Sequence, residues 1–329
     1  MATSTRDLTL ALALQGGGAH GAFTWGVLDR LLEEPRLSIE AISATSSGAM
    51  NAVALAQGWI ENGRDGARAT LAALWDAVAN QNGMAQWAFA GPAGLGLQSW
   101  LTGMSRHFAP TQINPLGINP LRGIVARLFD FERLRREAPF KLYVAATRVR
   151  DGALVLFDNT RLDEDALLAS TCLPQLFAPV VIDGEAYWDG GYAGNPALEP
   201  LVYECASRDV LCVLVQPREH ATVPTSARDI AARVAELGFS TTFLREVATL
   251  RRARQNLDGT MPITWLGRRL RGLQLHLVEP QESFGAGAAQ TSLNTQAAFL
   301  QSLRELGRER AHAWLRERAD DAGKRGWFG

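Results

Sequence analysis

The stretch ISATSSGAM, residues 42–50, is an apolar run that breaks into a tight turn at Ser46, with Ala44 two positions before it and Gly48 two after. A strand that ends in x-Ser-x-Gly and runs straight into a helix holds its serine on a strained elbow, hydroxyl projecting from the top of a sheet. The chemistry open to such a serine is nucleophilic attack on an acyl carbon. Read alone, the same residues also fit a serine that caps a helix starting near 47. Ser43 and Ser47 are rival hydroxyls, but neither has the two-residue spacing to Gly48.

Attack on an acyl carbon creates an oxyanion, which needs N–H donors already in place. Losing one such donor costs about 2.7–4 kcal/mol of barrier. GGGAHG, residues 16–21, offers Gly16, Gly17 and Gly18, whose amides no side chain shields. The run then opens a helix, whose first N–H groups are unpaired and favour anions. Gly16-x-Gly18-x-x-Gly21 also satisfies the dinucleotide-binding fingerprint, with Glu40 as its acid. That acid should close the second strand, whereas Glu40 stands near the start of its own.

A nucleophilic serine also needs a proton acceptor. Of the five histidines, His20 lies in the glycine run and has local packing or hydrogen bonding as its simpler reading. His107, His220, His276 and His312 sit in no pattern that suggests a triad. Asp189, in YWDGGYAGNP, follows a short strand and leads into Gly190 and Gly191. An ordinary Asp-Gly turn gives the same pattern. A carboxylate with a free pKa near 3.9 is a poor base, but a dry pocket raises that value. A Ser–Asp dyad therefore makes physical sense only beside a stabilised oxyanion.

The elements that must position these residues are legible as alternation. Residues 8–14, LTLALAL, read as a buried central strand, followed by a helix at about 21–33. Residues 39–45 read as a second strand, SGAMNAVALA as a helix of small residues, and 64–80 as a further helix. Strand–turn–helix twice in succession marks a βαβ unit, and parallel neighbours would bring both loops to one sheet edge. Further strands are expected at 141–149 and 153–158, joined at Asp151-Gly152, and at 179–191 as a hairpin turning at Asp183-Gly184. A short helix at about 163–170, a strand at 208–217, helices at about 226–256 and 291–317 and a strand at 272–279 complete the pattern.

Between 82 and 120 no clean period is visible. Met84, Trp87, Phe89, Leu95, Leu97, Trp100, Leu101 and Met104 make this a candidate apolar channel, a lid or a membrane-docking surface, and core under a long loop is the plainer reading. Arg245, Arg251, Arg252 and Arg254, with the ending KRGWFG, suggest contact with anionic lipid, against a solvated helix face and a frayed terminus.

The bulk numbers bound the rest. The 329 residues suffice for one compact domain with a loop insertion, 47% apolar and 20% charged, with a net charge of −1 that carries no nucleic-acid signature. Cys172, Cys205 and Cys212 read as buried free thiols, and no Cys/His spacing suggests a metal. Residues 8–14 are too short for a signal peptide, and no run reaches bilayer-spanning length, so a cytoplasmic protein is expected.

Taken together, GGGAHG, ATSSG and DGG, in that order, resemble the patatin-like phospholipase family, and ASTCLPQLFAPVVIDGEAYWDGG (169–191) looks like the family's run into its aspartate motif. The resemblance covers roughly residues 8–217. It implies a three-layer α/β fold with a central, mostly parallel sheet flanked by helices, spanning 1–329 with a helical part from about 226. It implies Ser46 as nucleophile, Asp189 as base and Gly16, Gly17 and Gly18 as the oxyanion site, with Ala19, His20, Gly21, Ala44, Gly48, Gly190 and Gly191 as supporting positions. The implied activity is hydrolysis of lipid acyl esters of the phospholipase A type, without metal or cofactor and with peripheral membrane contact. Other esters, acyl transfer, or a lipid- or dinucleotide-binding module on the same scaffold are the alternatives. Two departures stand out. Ala44 replaces the first elbow glycine, and His20 stands where the family often has a basic residue.

Overall fold

The computed structural model describes residues 7–89, 112, 114, 119–220, 223–257, 259, 261–284 and 291–320. Strand β1 (Leu8–Leu14) leads through the glycine run into helix α1 (Gly21–Leu31). Strand β2 (Leu37–Thr45) gives way to helix α2 (Ser47–Phe89), which is interrupted at Asn62 and Gly63. Helices α3 (Pro120–Leu128) and α4 (Phe131–Glu137) precede the hairpin of β3 (Lys141–Arg148) and β4 (Leu154–Asp158). Helix α5 (Glu164–Ser170) is followed by a second hairpin, β5 (Val180–Ile182) and β6 (Glu185–Asp189). The remainder is α6 (Glu199–Tyr203), β7 (Asp209–Val213), α7 (Ala227–Gln255), α8 (Trp265–Gly272), β8 (Gln274–Val278) and α9 (Ala297–Asp320).

The eight strands of the described residues form one sheet. Followed through its hydrogen bonds it runs β5-β6-β3-β2-β1-β7-β8, with β4 attached to β3. The pairs β1–β2, β1–β7, β2–β3 and β7–β8 are parallel; β3–β4, β3–β6 and β5–β6 are antiparallel. The expected adjacency of the first two strands is therefore present, and the glycine run and Ser46 leave the same sheet edge.

The composition of β1 sets the layers. Leu10, Leu12 and Leu14 join a large core shared with α1, α2, α5 and α9. Ala11 and Ala13 face the other way, into a smaller core built with Leu198, with Leu201 of α6, and with Phe243 and Val247 of α7. Leucines fill the thick layer, and alanines let α6 and α7 approach the sheet closely. Both expected hairpins turn where Asp-Gly pairs stand. Asp183 and Gly184 both have positive φ (51° and 79°), as a two-residue turn between right-twisted strands requires.

Some elements differ from expectation. The broken pattern expected from 82 onward begins later, because helix α2 continues to Phe89. The side chains of Met84, Trp87 and Phe89, and residues 95–104, lie outside the described residues, as does the ending KRGWFG. The short helices α3, α4, α6 and α8 were not foreseen, and α9 starts at Ala297 rather than 291. The three cysteines are buried free thiols. Among the described residues no helix is long and apolar enough to cross a membrane.

Helix α9 packs directly along α1. Gly26 of α1 lies against the carbonyl of Arg304, and Gly307 of α9 lies against the carbonyl of Phe23. The buried Asp29 of α1 receives Arg304 from α9 at 2.9 Å, Arg68 from α2 at 2.7 Å, and Arg308. Replacing Gly by Ala inside a helix ordinarily gains about 1 kcal/mol. Here a Cβ would strike backbone, and overpacking costs about 1–3 kcal/mol. Gly26→Ala and Gly307→Ala are therefore expected to lower the urea unfolding midpoint, the reverse of the usual sign.

Candidate active site

The register of β3 decides which residues meet. One edge of β3 pairs with β4 through Tyr143–Thr147. The other edge is shared: Ala41–Thr45 of β2 pair with Lys141–Ala145, and β6 takes over at Ala146, opposite Asp189. The last residue of β2 and the last residue of β6 thus occupy consecutive positions on one edge, arriving from opposite directions. Ser46 follows Thr45 immediately, so the serine and the aspartate are neighbours in space although 143 positions separate 46 from 189.

Ser46 is the single residue between strand and helix and has φ 54°, a left-handed conformation that is strained for serine. Its amide donates to Ser170 Oγ at 2.9 Å, and its carbonyl accepts from Met50 N at 3.1 Å in the first turn of α2. Ala44, buried in the large core, lies between Leu14 of β1 and Val144 of β3, so its methyl is accommodated by packing within the sheet. A Cβ on Gly48 would sit 2.5 Å from the carbonyl of Leu14, which explains why that position carries none.

Asp189 is wholly buried. Its Oδ1 accepts from Gly191 N at 2.8 Å, and among the described residues Oδ2 has no partner of ordinary hydrogen-bond geometry. Burial raises the carboxyl to about 7, against the opposing pull of the Ser46 hydroxyl and the Gly191 amide. The hydroxyl thus lies near the carboxylate without ordinary hydrogen-bond geometry. The backbone of Asp189 is fixed by its N–H to Cys172 O at 2.8 Å and by Thr147 Oγ1 donating to its carbonyl at 2.8 Å. Gly190 packs on the Ala145 carbonyl, and Phe239 of α7 closes over Gly191 and meets Tyr192 at a tilt, ring centroids 4.9 Å apart.

The glycine run lies against the elbow. A Cβ on Gly16 would be 2.5 Å from Ser46 Cβ and 2.6 Å from the Thr45 carbonyl, so only glycine allows this approach. Two of the three glycine amides already have acceptors: Gly16 N donates to Asn195 Oδ1 at 2.7 Å and Gly17 N to Ser47 Oγ at 3.0 Å. Gly18, at φ 60°, packs on the Ser292 carbonyl, which accepts from Ala19 N at 2.7 Å. Gly21 packs against Ser47.

His20 is fully buried, edge-on to Phe284 at 4.9 Å, with Nε2 2.9 Å from Thr291 Oγ1 and Nδ1 unpartnered. Burial pushes its imidazole down to about 4, so it carries no charge at neutral pH. It is an anchor between the loop and the C-terminal segment. Glu40, the acid of the dinucleotide fingerprint, accepts from Ala206 N and Ser207 N at the opposite end of the strands from the glycine run. A cleft of about 870 Å³ beside β3, β4 and α6 includes Tyr143, Leu154 and Tyr203 in its lining and none of the expected site residues.

Two contributors were missed in the sequence. Ser170 ends α5 and receives the Ser46 amide. Asn195 holds Gly16 by both its polar backbone groups, its Nδ2 donating to Gly16 O at 3.3 Å. The only signal for Asn195 was its membership of the YWDGGYAGNP run, and a Gly-Asn-Pro sequence reads as a turn.

A family model described as patatin-like phospholipase matches residues 12–202, more than half of the chain. No curated protein matches. Among solved structures, the chain is similar to VipD from Legionella pneumophila at 15% identity and TM-score 0.41, covering 95% of this chain and 67% of that one. It is also similar to the heterodimeric ExoU–SpcU complex of the type III secretion system of Pseudomonas aeruginosa at 18% identity and TM-score 0.39, covering 96% of this chain and 53% of that one.

The buried aspartate has a stability signature. A carboxyl whose folded pKa lies above its unfolded value favours the fold below the unfolded pKa, and this contribution is lost as pH rises through the folded value. With the folded value at about 7, Asp189→Asn is expected to raise Tm at pH 8 by more than at pH 5, an effect on the order of a few kcal/mol. Parallel thermal scans of wild type and variant check it.

Proposed function

The chain belongs to the patatin-like phospholipase family, and from that premise we propose that it is a serine lipid acyl hydrolase working through Ser46 and Asp189. The observation that carries the reading is the fully buried Asp189 carboxylate, one oxygen unpartnered, beside a serine strained at an elbow. A buried aspartate without a charged partner is costly to keep. The cost makes sense as tuning, because a carboxyl near pH 7 is a far better proton acceptor than one near 4.

In this mechanism Ser46 Oγ attacks the ester carbonyl while its proton passes to Asp189 Oδ2. The tetrahedral oxyanion forms beside the glycine run and the start of α2, whose dipole favours negative charge. Gly16 contributes by proximity, since its N–H is engaged by Asn195. Gly17 and Gly18 contribute their amides, a full negative charge competing successfully with the neutral Ser47 hydroxyl for the Gly17 N–H. Collapse breaks the ester bond, and Asp189 returns its proton to the departing alcohol. The acyl-Ser46 enzyme is then attacked by water, whose proton goes to Asp189, and the fatty acid leaves with Ser46 restored. The substrate is an acyl ester of a lipid, met from the membrane surface.

A labelled fluorophosphonate is expected to mark the wild type covalently and to leave Ser46→Ala unmarked; equal labelling of both would overturn the assignment. Asp189→Asn should lower turnover of a chromogenic ester by roughly 10²–10⁴-fold. The base acts ionised, so wild-type kcat is expected to rise with pH through about 7. A pH profile flat between 5 and 9 would exclude Asp189 as the acceptor.

A further inference from the structure

We propose that Asn195 is a positioning residue for the hydrolysis, setting the Gly16 peptide so that the following amides of the loop face the Ser46 hydroxyl. The inference rests on the Ser46–Asp189 reading and goes beyond it.

Strand β1 ends at Leu14. Gln15 still has a sheet-like bond, its N–H donating to Val213 O at 3.0 Å, and its side chain accepts from Val215 N at 2.8 Å. At Gly16 the sheet provides no further partner. There a single side-chain amide meets both backbone groups: Oδ1 accepts from Gly16 N at 2.7 Å and Nδ2 donates to Gly16 O at 3.3 Å. Asn195 thus acts as a one-residue substitute for a neighbouring strand. It is completely buried, so water does not compete for either bond.

Gly16 has little room to move, because a Cβ on it would lie 2.5 Å from Ser46 Cβ. Rotation of its peptide would carry the Gly17 N–H away from its present direction. Asn195 also belongs to the loop that begins at Asp189. That loop is tied to the elbow by Thr45 Oγ1, which donates to Gly194 O at 2.7 Å. The base, the residue before the nucleophile and the oxyanion loop are therefore joined through one short segment. A residue that only satisfied buried polar groups would affect stability; one that aims donors would affect the chemical step.

The test compares wild type, Ser46→Ala, Asn195→Ala and Asn195→Asp with a soluble chromogenic acyl ester, alongside thermal unfolding. Asn195→Ala is expected to lower kcat between about tenfold and a hundredfold with KM within about twofold. Asn195→Asp supplies a pH readout. A protonated carboxylic acid offers the same acceptor and donor as the amide, whereas the carboxylate loses the donor and repels the Gly16 carbonyl. The ratio of its kcat to that of wild type should be near unity at about pH 5.5 and fall roughly tenfold or more by about pH 8. Wild-type kcat in Asn195→Ala beside an inactive Ser46→Ala would overturn the proposal alone. So would a pH-independent ratio for Asn195→Asp, which decides the matter if the alanine variant does not fold. Equal turnover by wild type and Ser46→Ala would overturn the parent reading and this proposal with it.

Discussion

The arrangement depends on one edge of one strand. Strand β3 gives part of an edge to β2 and the remainder to β6, which approaches from the other end. Hydrogen-bond register, set by the backbone, thereby fixes Thr45 and Asp189 at consecutive positions. Everything distinctive about the site follows from that junction. The serine must turn sharply to avoid the incoming strand, hence its left-handed φ. The aspartate ends its strand inside the protein, hence its complete burial.

Around the junction, polar groups are held mostly by neutral partners. The Ser46 amide is met by a serine, the Gly16 peptide by an asparagine, the Gly17 amide by a second serine and His20 by a threonine. Asp29, Arg68, Arg304 and Arg308 instead tie together three helices. The division has an electrostatic sense. A cation beside Asp189 would stabilise its charged form and depress its proton affinity, whereas neutral surroundings leave burial as the dominant influence. The neutral His20 is consistent with that environment.

Much of this was readable from the chain because period and punctuation agreed. LTLALAL is apolar throughout, Asp-Gly pairs stand at both hairpin turns, and the small residues after Ser46 make a helix that can lie close to the sheet. What escaped reading had a physical reason in each case. Helices α3, α4, α6 and α8 have at most nine residues, and the cap signals that Asn119, Asp130 and Thr264 give at three of them went unread. The break of α2 at Asn62–Gly63 agrees with the reading of two helices, one after Ser46 and one from 64. Asn195 and Ser170 were unreadable as site-builders because their partners lie 179 and 124 positions away. Motif spacing singles out candidate residues; it contains no information about the distant side chains that hold them in place.

The crossing of α1 and α9 bears on how the molecule is bounded. The family match stops at residue 202, yet the helix leaving the glycine run rests backbone to backbone on a helix that starts at Ala297. Glycines at both contact points leave no side chain to fill the gap if the later helix is absent. A polypeptide trimmed at the limit of recognisable kinship would lose Arg304 from the face of Trp25 and Phe284 from beside Phe23, and would leave the first helix without its outer wall. The motifs of the candidate site belong to the first two-thirds of the chain, but part of the packing around them is supplied by its final third.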